Sequence, residues 1–156
     1  MNIEKLLRFE EGFRADPYYC SEKYPTIGIG WKIGGKNQPL EDFKWMQISE
    51  EAALAQCKSE VDDLAVNLRC VINCWQELSE ARQSVLISMA YQMGIGGLMR
   101  FKKMIAAIEV NDFVEAAQQG MNSLWANQTY ARANRHMRMM LTDDWAVYSQ
   151  LIDQEV

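Results

Sequence analysis

The chain has 156 residues, a length that the usual ~100 to 200 residues per domain makes one domain, here read as two lobes. Nearly half of the residues (49%) are hydrophobic and only three are proline, which argues against extensive disorder and for a compact, helix-rich globule. The formal net charge of −5 and the lack of a recognisable binding motif argue against a nucleic-acid partner, and no apolar run is long enough for membrane insertion.

In chain order, the first element is a helix from Asn2 to Glu11, with Ile3, Leu6 and Leu7 on one face, Asn2 able to cap its start and Gly12 able to end it. Glu11 therefore sits at a helix carboxyl end, where unpaired carbonyls disfavour ionisation, so a partly buried carboxyl there is suited to act as a general acid. Next comes a strand in Thr26-Ile27-Gly28-Ile29-Gly30. Period-two alternation puts Ile27 and Ile29 on one face and Thr26, Gly28 and Gly30 on the other, leaving a surface kept clear for a ligand with the Thr26 hydroxyl projecting into it.

Trp31 to Lys44 is turn-rich, with Gly34, Gly35, Asn37 and Pro39, and finishes a small sheet. Ser49 caps a long helix in which Leu54, Cys57, Val61, Leu64 and Leu68 recur three and four apart. Ser79 begins a second helix, apolar around most of its circumference and therefore buried, which Gly94 stops. Further helices are predicted over Phe101 to Val110, Asp112 to Gln119, Tyr130 to Met140 after a Thr129 cap, and beyond a Thr142 cap.

Four cysteines, Cys20, Cys57, Cys70 and Cys74, are expected as reduced thiols, with Cys70 and Cys74 packed as small hydrophobes. Residues 1 to 17 hold four acids and no apolar run of signal length, so no signal peptide is expected. With one distant histidine, His136, the thiols do not make a metal site, and no cofactor is expected. Positive charge clusters in Arg100, Lys102 and Lys103, where Lys102 and Lys103 read as a solvated helix face, and in Arg132, Arg135 and Arg138.

The Glu11 to Thr26 spacing, Tyr91-Gln92-Met93-Gly94, Trp125-Ala126-Asn127-Gln128-Thr129 with Arg132 and Arg135 after it, and Trp145-Ala146-Val147-Tyr148 together span nearly the whole chain. In these motifs the chain resembles the phage lysozymes of glycoside hydrolase family 24. The resemblance implies an α+β, mostly α, lysozyme-like two-lobe fold: a lobe over about 1–48 with a small sheet, a connecting helix over about 49–69 and a helical lobe over about 70–156. It further implies hydrolysis of the bond between N-acetylmuramic acid and N-acetylglucosamine in peptidoglycan, with Glu11 as general acid, Cys20 and Thr26 holding the attacking water, and inversion at the sugar carbon. Gly28, Gly30, Lys32, Tyr91, Gln92, Met104, Gln119, Trp125 and Arg132 fall on substrate-cleft positions, Arg132 matching the arginine beside the catalytic glutamate. The chain departs from the family at Cys20, where aspartate is usual.

A thiol forms weak hydrogen bonds and is ordinarily a poor base at neutral pH, and a nearby ionised Glu11 would oppose a thiolate, so Cys20 is expected to position water rather than deprotonate it. Glu22, two residues on, is a substitute carboxylate that is expected to face solvent. Two rival readings stand beside the hydrolase: a lytic transglycosylase using Glu11 alone, and a non-catalytic wall-binding or virion structural module. As a hydrolase the chain is expected to be a monomeric endolysin, held in the host cytoplasm until a separate pore-forming, holin-like protein releases it to the wall.

Overall fold

A computed structural model describes residues 2–152. The chain divides into two compact units, Asn2–Glu60 and Val61 onward. Both together are mostly α, with a small antiparallel sheet confined to the first unit, as the patterning predicts.

The first unit opens with helix α1 (Ile3–Glu11). The Asn2 side chain accepts from the Lys5 amide, the Gly12 amide donates to the Arg8 carbonyl, and Gly12 takes φ +72, a left-handed turn that ends the helix just after Glu11. Leu6 and Leu7, on the apolar stripe, are completely buried. Strands β1 (Arg14–Tyr19), β2 (Pro25–Gly28) and β3 (Trp31–Lys32) then form a sheet in the order β1-β2-β3. Tyr18 stands opposite Thr26 and Thr26 opposite Lys32, and the β1–β2 register shifts between Arg14 and Tyr18. A short 3-10 turn over Leu40–Phe43 completes the unit before helix α2 (Glu50–Val71), whose start is capped by Ser49 Oγ accepting from the Ala52 amide at 3.2 Å.

The second unit carries α3 (Glu80–Leu98), α4 (Lys102–Glu109), α5 (Phe113–Met121), α6 (Leu124–Gln128), α7 (Tyr130–Thr142) and α8 (Ala146–Ile152). Helix α3 is buried almost continuously from Ser84 to Ala90, as its all-round apolar pattern requires. Helix α7 packs on α3, α5, α6 and α8 and is the hub of this unit.

Gly94, at φ +75 and ψ 162, does break the helix, as expected, although a further helical stretch continues straight after it to Leu98. Several local expectations are corrected. The Thr129 hydroxyl donates back to the Trp125 carbonyl at 2.9 Å, so it serves the end of α6, a helix not anticipated from the sequence, and not the start of α7. Thr142 belongs to the last turn of α7, and α8 is instead entered through Asp144, whose carboxylate accepts from the Ala146 amide. Cys57 and Cys74 are buried but Cys70 is exposed, and none of the four cysteines forms a disulfide.

Gly28 corrects a functional expectation too. The space beside it is filled by protein: a Cβ built there lies 3.2 Å from the Ala53 Cβ on α2, and Thr26 is itself only 1% exposed. The missing side chain thus lets the hairpin close onto α2, and φ +67 adds a backbone demand that glycine meets. Gly28→Ala is expected to lower stability by about 1–3 kcal/mol, read from the urea midpoint. An unchanged midpoint would show that the hairpin and α2 yield freely at this contact.

Candidate active site

In an antiparallel sheet, residues directly opposite one another project to the same face. Tyr18, Thr26 and Lys32 therefore form one row across all three strands. The ladder continues one step into the turn, where the Cys20 amide donates to the Tyr24 carbonyl at 3.0 Å, and alternation keeps Cys20 and Tyr24 on that same face. Lys23, with φ +69 and its amide on the Cys20 carbonyl, makes the reversal tight. The Thr26 hydroxyl donates to the Tyr24 carbonyl at 2.9 Å, and the Lys32 ammonium spans the turn to Glu22 at 2.9 Å and to the face of the Tyr24 ring at 4.5 Å. Glu22 is exposed, as expected, yet it is engaged as an anchor for this cation.

The charges follow from that placement. Burial pushes the Cys20 thiol up, but hydrogen bonding from the backbone at Tyr24 and Glu22 and from Thr26, joined by the charge of Lys32, outweighs burial and leaves the thiol below its ordinary value. Burial, followed by the charges of Glu11 and Cys20, raises the Tyr18 phenol against the opposing Arg14, whose guanidinium lies 4.7 Å from the ring centre. Tyr18 is thus a neutral donor at physiological pH, within the electrostatic reach of both Glu11 and Cys20. Sequence reasoning passed over it, although its position two residues before Cys20 carries the signal.

Glu11 is half-buried at the end of α1, and Gly30, at φ +74, closes the turn between β2 and β3. Glu11, Cys20, Thr26 and Lys32 all belong to the first unit, and the charges of Glu11 and Cys20 both bear on Tyr18.

The second unit holds the other expected positions. A cleft of about 680 Å³ is lined by Phe101, Met104, Gln119 and Trp125, with Arg100, Lys102 and Lys103 at its side. Lys102 and Lys103 are exposed, as a solvated face requires, but they also border this cleft. Its volume falls in the range of small-ligand sites. Trp125 is both wall and core: it is 8% exposed, its indole donates to Gln92 Oε1 at 2.8 Å, and it meets Phe101 and His136 edge-on at 6.0 Å. Tyr91 is half-buried one residue before Gln92. Arg132 is placed apart from the cleft lining, buried, with Nη2 donating to the Ser88 carbonyl at 3.1 Å and hydroxyl at 2.9 Å. The Ser88 hydroxyl also bonds His136 Nε2 at 2.8 Å, and His136 Nδ1 bonds the Tyr148 hydroxyl at 2.7 Å.

The model of the phage lysozyme family matches residues 8–141, which include Glu11, Cys20, Thr26 and Arg132. The chain belongs to that family. Among its relatives, it is 32% identical to the pre-baseplate central spike protein Gp5 of Enterobacteria phage T4, over 95% of this chain but only 29% of that one. It is 26% identical to the probable T4-type lysozyme 1 of Dictyostelium discoideum, over 94% of this chain and 98% of that one. It is 28% identical to the peptidoglycan hydrolase gp36 of Pseudomonas phage phiKMV, over 89% of this chain and 15% of that one.

The buried network in this family member carries a pH signature. Burial, then the charges of Arg132 and Arg135, hold His136 well below the usual histidine value of 6.5, so the folded protein keeps it neutral. As pH falls below the unfolded value, the unfolded chain binds a proton that the folded chain refuses, and stability is lost on the acid side. Below about pH 6.5 this adds a slope approaching 1.4 kcal/mol per pH unit, about one proton's worth. His136→Gln should flatten the slope by that amount between pH 6.5 and 5, measured by urea unfolding. Parallel wild-type and variant curves would mean that His136 takes up its proton in the folded state.

Proposed function

We propose that the chain is a muramidase-type cell-wall hydrolase that cleaves the β-1,4 bond between N-acetylmuramic acid and N-acetylglucosamine in bacterial peptidoglycan. The observation that carries this reading is the family match across residues 8–141, which takes in Glu11, Cys20 and Thr26, with Thr26 set in one row with Tyr18 by the sheet. Glycoside hydrolysis needs a proton donor for the leaving oxygen and a group that delivers water to the opposite face of the sugar. Glu11 gives its proton to the glycosidic oxygen. Cys20 and Thr26 hold the water, and single displacement inverts the anomeric carbon. Tyr18 keeps its proton and so adds no negative charge to that of Glu11.

In the helical unit, the aromatic faces of Phe101 and Trp125 suit the apolar faces of sugar rings, and the Gln119 amide suits their hydroxyl edges. Gln92 fixes the indole of Trp125 and acts on substrate through that orientation. Release of phage progeny from the host is the biological role that this chemistry serves best. A second reading, a wall-cutting module carried by the virion, is favoured by the likeness to a spike protein of which this chain spans only part.

Glu11→Gln is expected to reduce clearing of exposed cell walls by at least about 10²-fold with an unchanged circular dichroism spectrum, while Glu10→Gln stays near wild type. Equal losses in both variants would identify the wrong carboxylate. Cys20→Asp should keep or raise activity, and Cys20→Ala should keep part of it. Mass spectrometry of the products should show reducing ends. Anhydro ends, lighter by one water, would replace hydrolysis with transglycosylation, and a covalent glycosyl adduct on Cys20 would replace inversion with retention.

A further inference from the structure

We propose that Trp45 and Tyr19, with the polar groups that bridge them, form a second glycan-holding surface on the first unit, which takes N-acetylated sugar rings of the wall polymer away from the bond being cut. The inference rests on the hydrolase reading, which supplies the polymer, and deepens it by giving that reaction an anchor on its substrate.

The surface lies on the reverse of the row that holds Tyr18, Thr26 and Lys32. Tyr19 alternates with Tyr18 and Cys20 and is paired with Pro25, so it projects to the other face of the sheet. There its hydroxyl donates to the Gln38 carbonyl at 2.9 Å. The Gln38 side-chain amide donates to the Asp42 carboxylate at 3.2 Å, and the Trp45 indole donates to the Asp42 carbonyl at 3.0 Å. A chain of hydrogen bonds thus joins two aromatic rings, with an amide and a carboxylate between them. Trp31, opposite Ile27, projects to the same face of the sheet as Tyr19. Tyr19, Trp31 and Trp45 are three of the four exposed aromatic residues among the described residues, and all belong to this unit, so their exposure is concentrated rather than scattered.

Trp45 is 77% exposed yet held in place. Its indole N–H is bonded within its own turn, the Met46 amide donates to the Phe43 carbonyl at 2.8 Å, and the Ile48 amide ties the end of the loop to the Ala15 carbonyl of β1 at 3.0 Å. A ring presented in this way has little freedom left to lose on binding.

The chemistry around the rings selects the occupant. A sugar ring offers an apolar C–H face to an indole, and hydroxyl and acetamido edges to polar neighbours. Asp42 gives one carboxylate oxygen to Gln38, and the other, with no bond among the described residues, accepts from such an edge. Asp16 and Asp42 are exposed, while Glu41 is paired with Lys44 at 3.1 Å, so the surface is acidic and disfavours the phosphates of a membrane or of nucleic acid. The muramic carboxyl is consumed in its amide link to the stem peptide, and the glycan strand itself meets this surface uncharged. A second copy of the chain fits less well, because aromatic rings bury about 150–250 Å² each, well short of the ~1,200 Å² of a stable interface. A strand held here keeps the catalytic row at raised effective concentration over the same polymer.

Trp45→Ala and Trp45→Tyr, each combined with Glu11→Gln so that nothing is cut, are to be sedimented with purified peptidoglycan sacculi. Trp45→Ala should lower affinity about 5- to 10-fold relative to Glu11→Gln alone, and Trp45→Tyr should restore most of it. In a proton–nitrogen correlation spectrum, the Trp45 indole signal, assigned by its loss in Trp45→Ala, should move when a hexamer of N-acetylglucosamine is added. In the otherwise wild-type protein, Trp45→Ala should raise KM for insoluble walls severalfold and leave kcat unchanged.

Unchanged sedimentation of Trp45→Ala overturns the proposal, and so does a Trp45 indole signal that ignores the hexamer, which would assign the wall contact to the stem peptide. A Trp45-dependent dimer in analytical ultracentrifugation would replace the glycan with a second copy. Binding to phosphatidylglycerol vesicles that Trp45→Ala abolishes would replace it with a membrane. A fall in kcat would place Trp45 at the reacting bond and equally overturn the proposal. Sedimentation needs no cleavage, so absence of wall cleavage by the wild type would overturn the hydrolase reading while the grip of Trp45 on sacculi is still measured.

Discussion

The register of a three-stranded sheet is the constraint on which the site depends. Because Tyr18 stands opposite Thr26 and Thr26 opposite Lys32, a phenol, a hydroxyl and an ammonium share one face, and the tight turn adds Cys20 and Tyr24 to it. A slip of one residue would send all of them to the other side. Register is held from below as well. Ile27 and Ile29 alternate with Thr26 and Gly28, all are buried, and Gly28 lets α2 approach to where a methyl group at position 28 would crowd Ala53.

That arrangement explains how a thiol can stand where this family usually has a carboxylate. A buried thiol is ordinarily less acidic, and here burial is indeed the largest single influence on Cys20. Three hydrogen-bonding groups and one cation act together against it. The protein as a whole is acidic, with a formal charge of −5, so the local environment, and not the overall charge, governs the thiol.

The helical unit uses neutrality for a similar purpose. Arg132 and His136 lie one turn apart on α7 and share Ser88, and a doubly charged pair in that buried setting would be costly. Keeping His136 neutral removes the conflict and leaves Arg132 as the fixed charge. Since His136 also meets Trp125 edge-on, the same network supports one wall of the cleft.

Sequence determined much of this, because its strongest signals are local. Caps at Asn2, Ser49 and Ser79, the left-handed Gly12, and the three-and-four spacing along α2 depend on neighbours a few residues away, and the structure repeats them. Glu11 at a helix end was legible for the same reason. The weaker signals misled where a residue had two possible partners. Thr129 and Thr142 each find a carbonyl one turn back in preference to capping the next helix. What only the tertiary structure decided is pairing between distant segments. Gly28 proved to be a contact with α2 because Ala53 arrives from another element, and Arg132 and His136 gained their shared partner because α3 brings Ser88 to α7. The Cys20 thiol likewise feels, against its burial, the backbone at Tyr24 and Glu22, the Thr26 side chain and, last among these, Lys32, a residue twelve positions on whose pairing with Thr26 is set by strand register. Local spacing can name the residues, but the field each one feels is the sum of charges and dipoles that folding brings close.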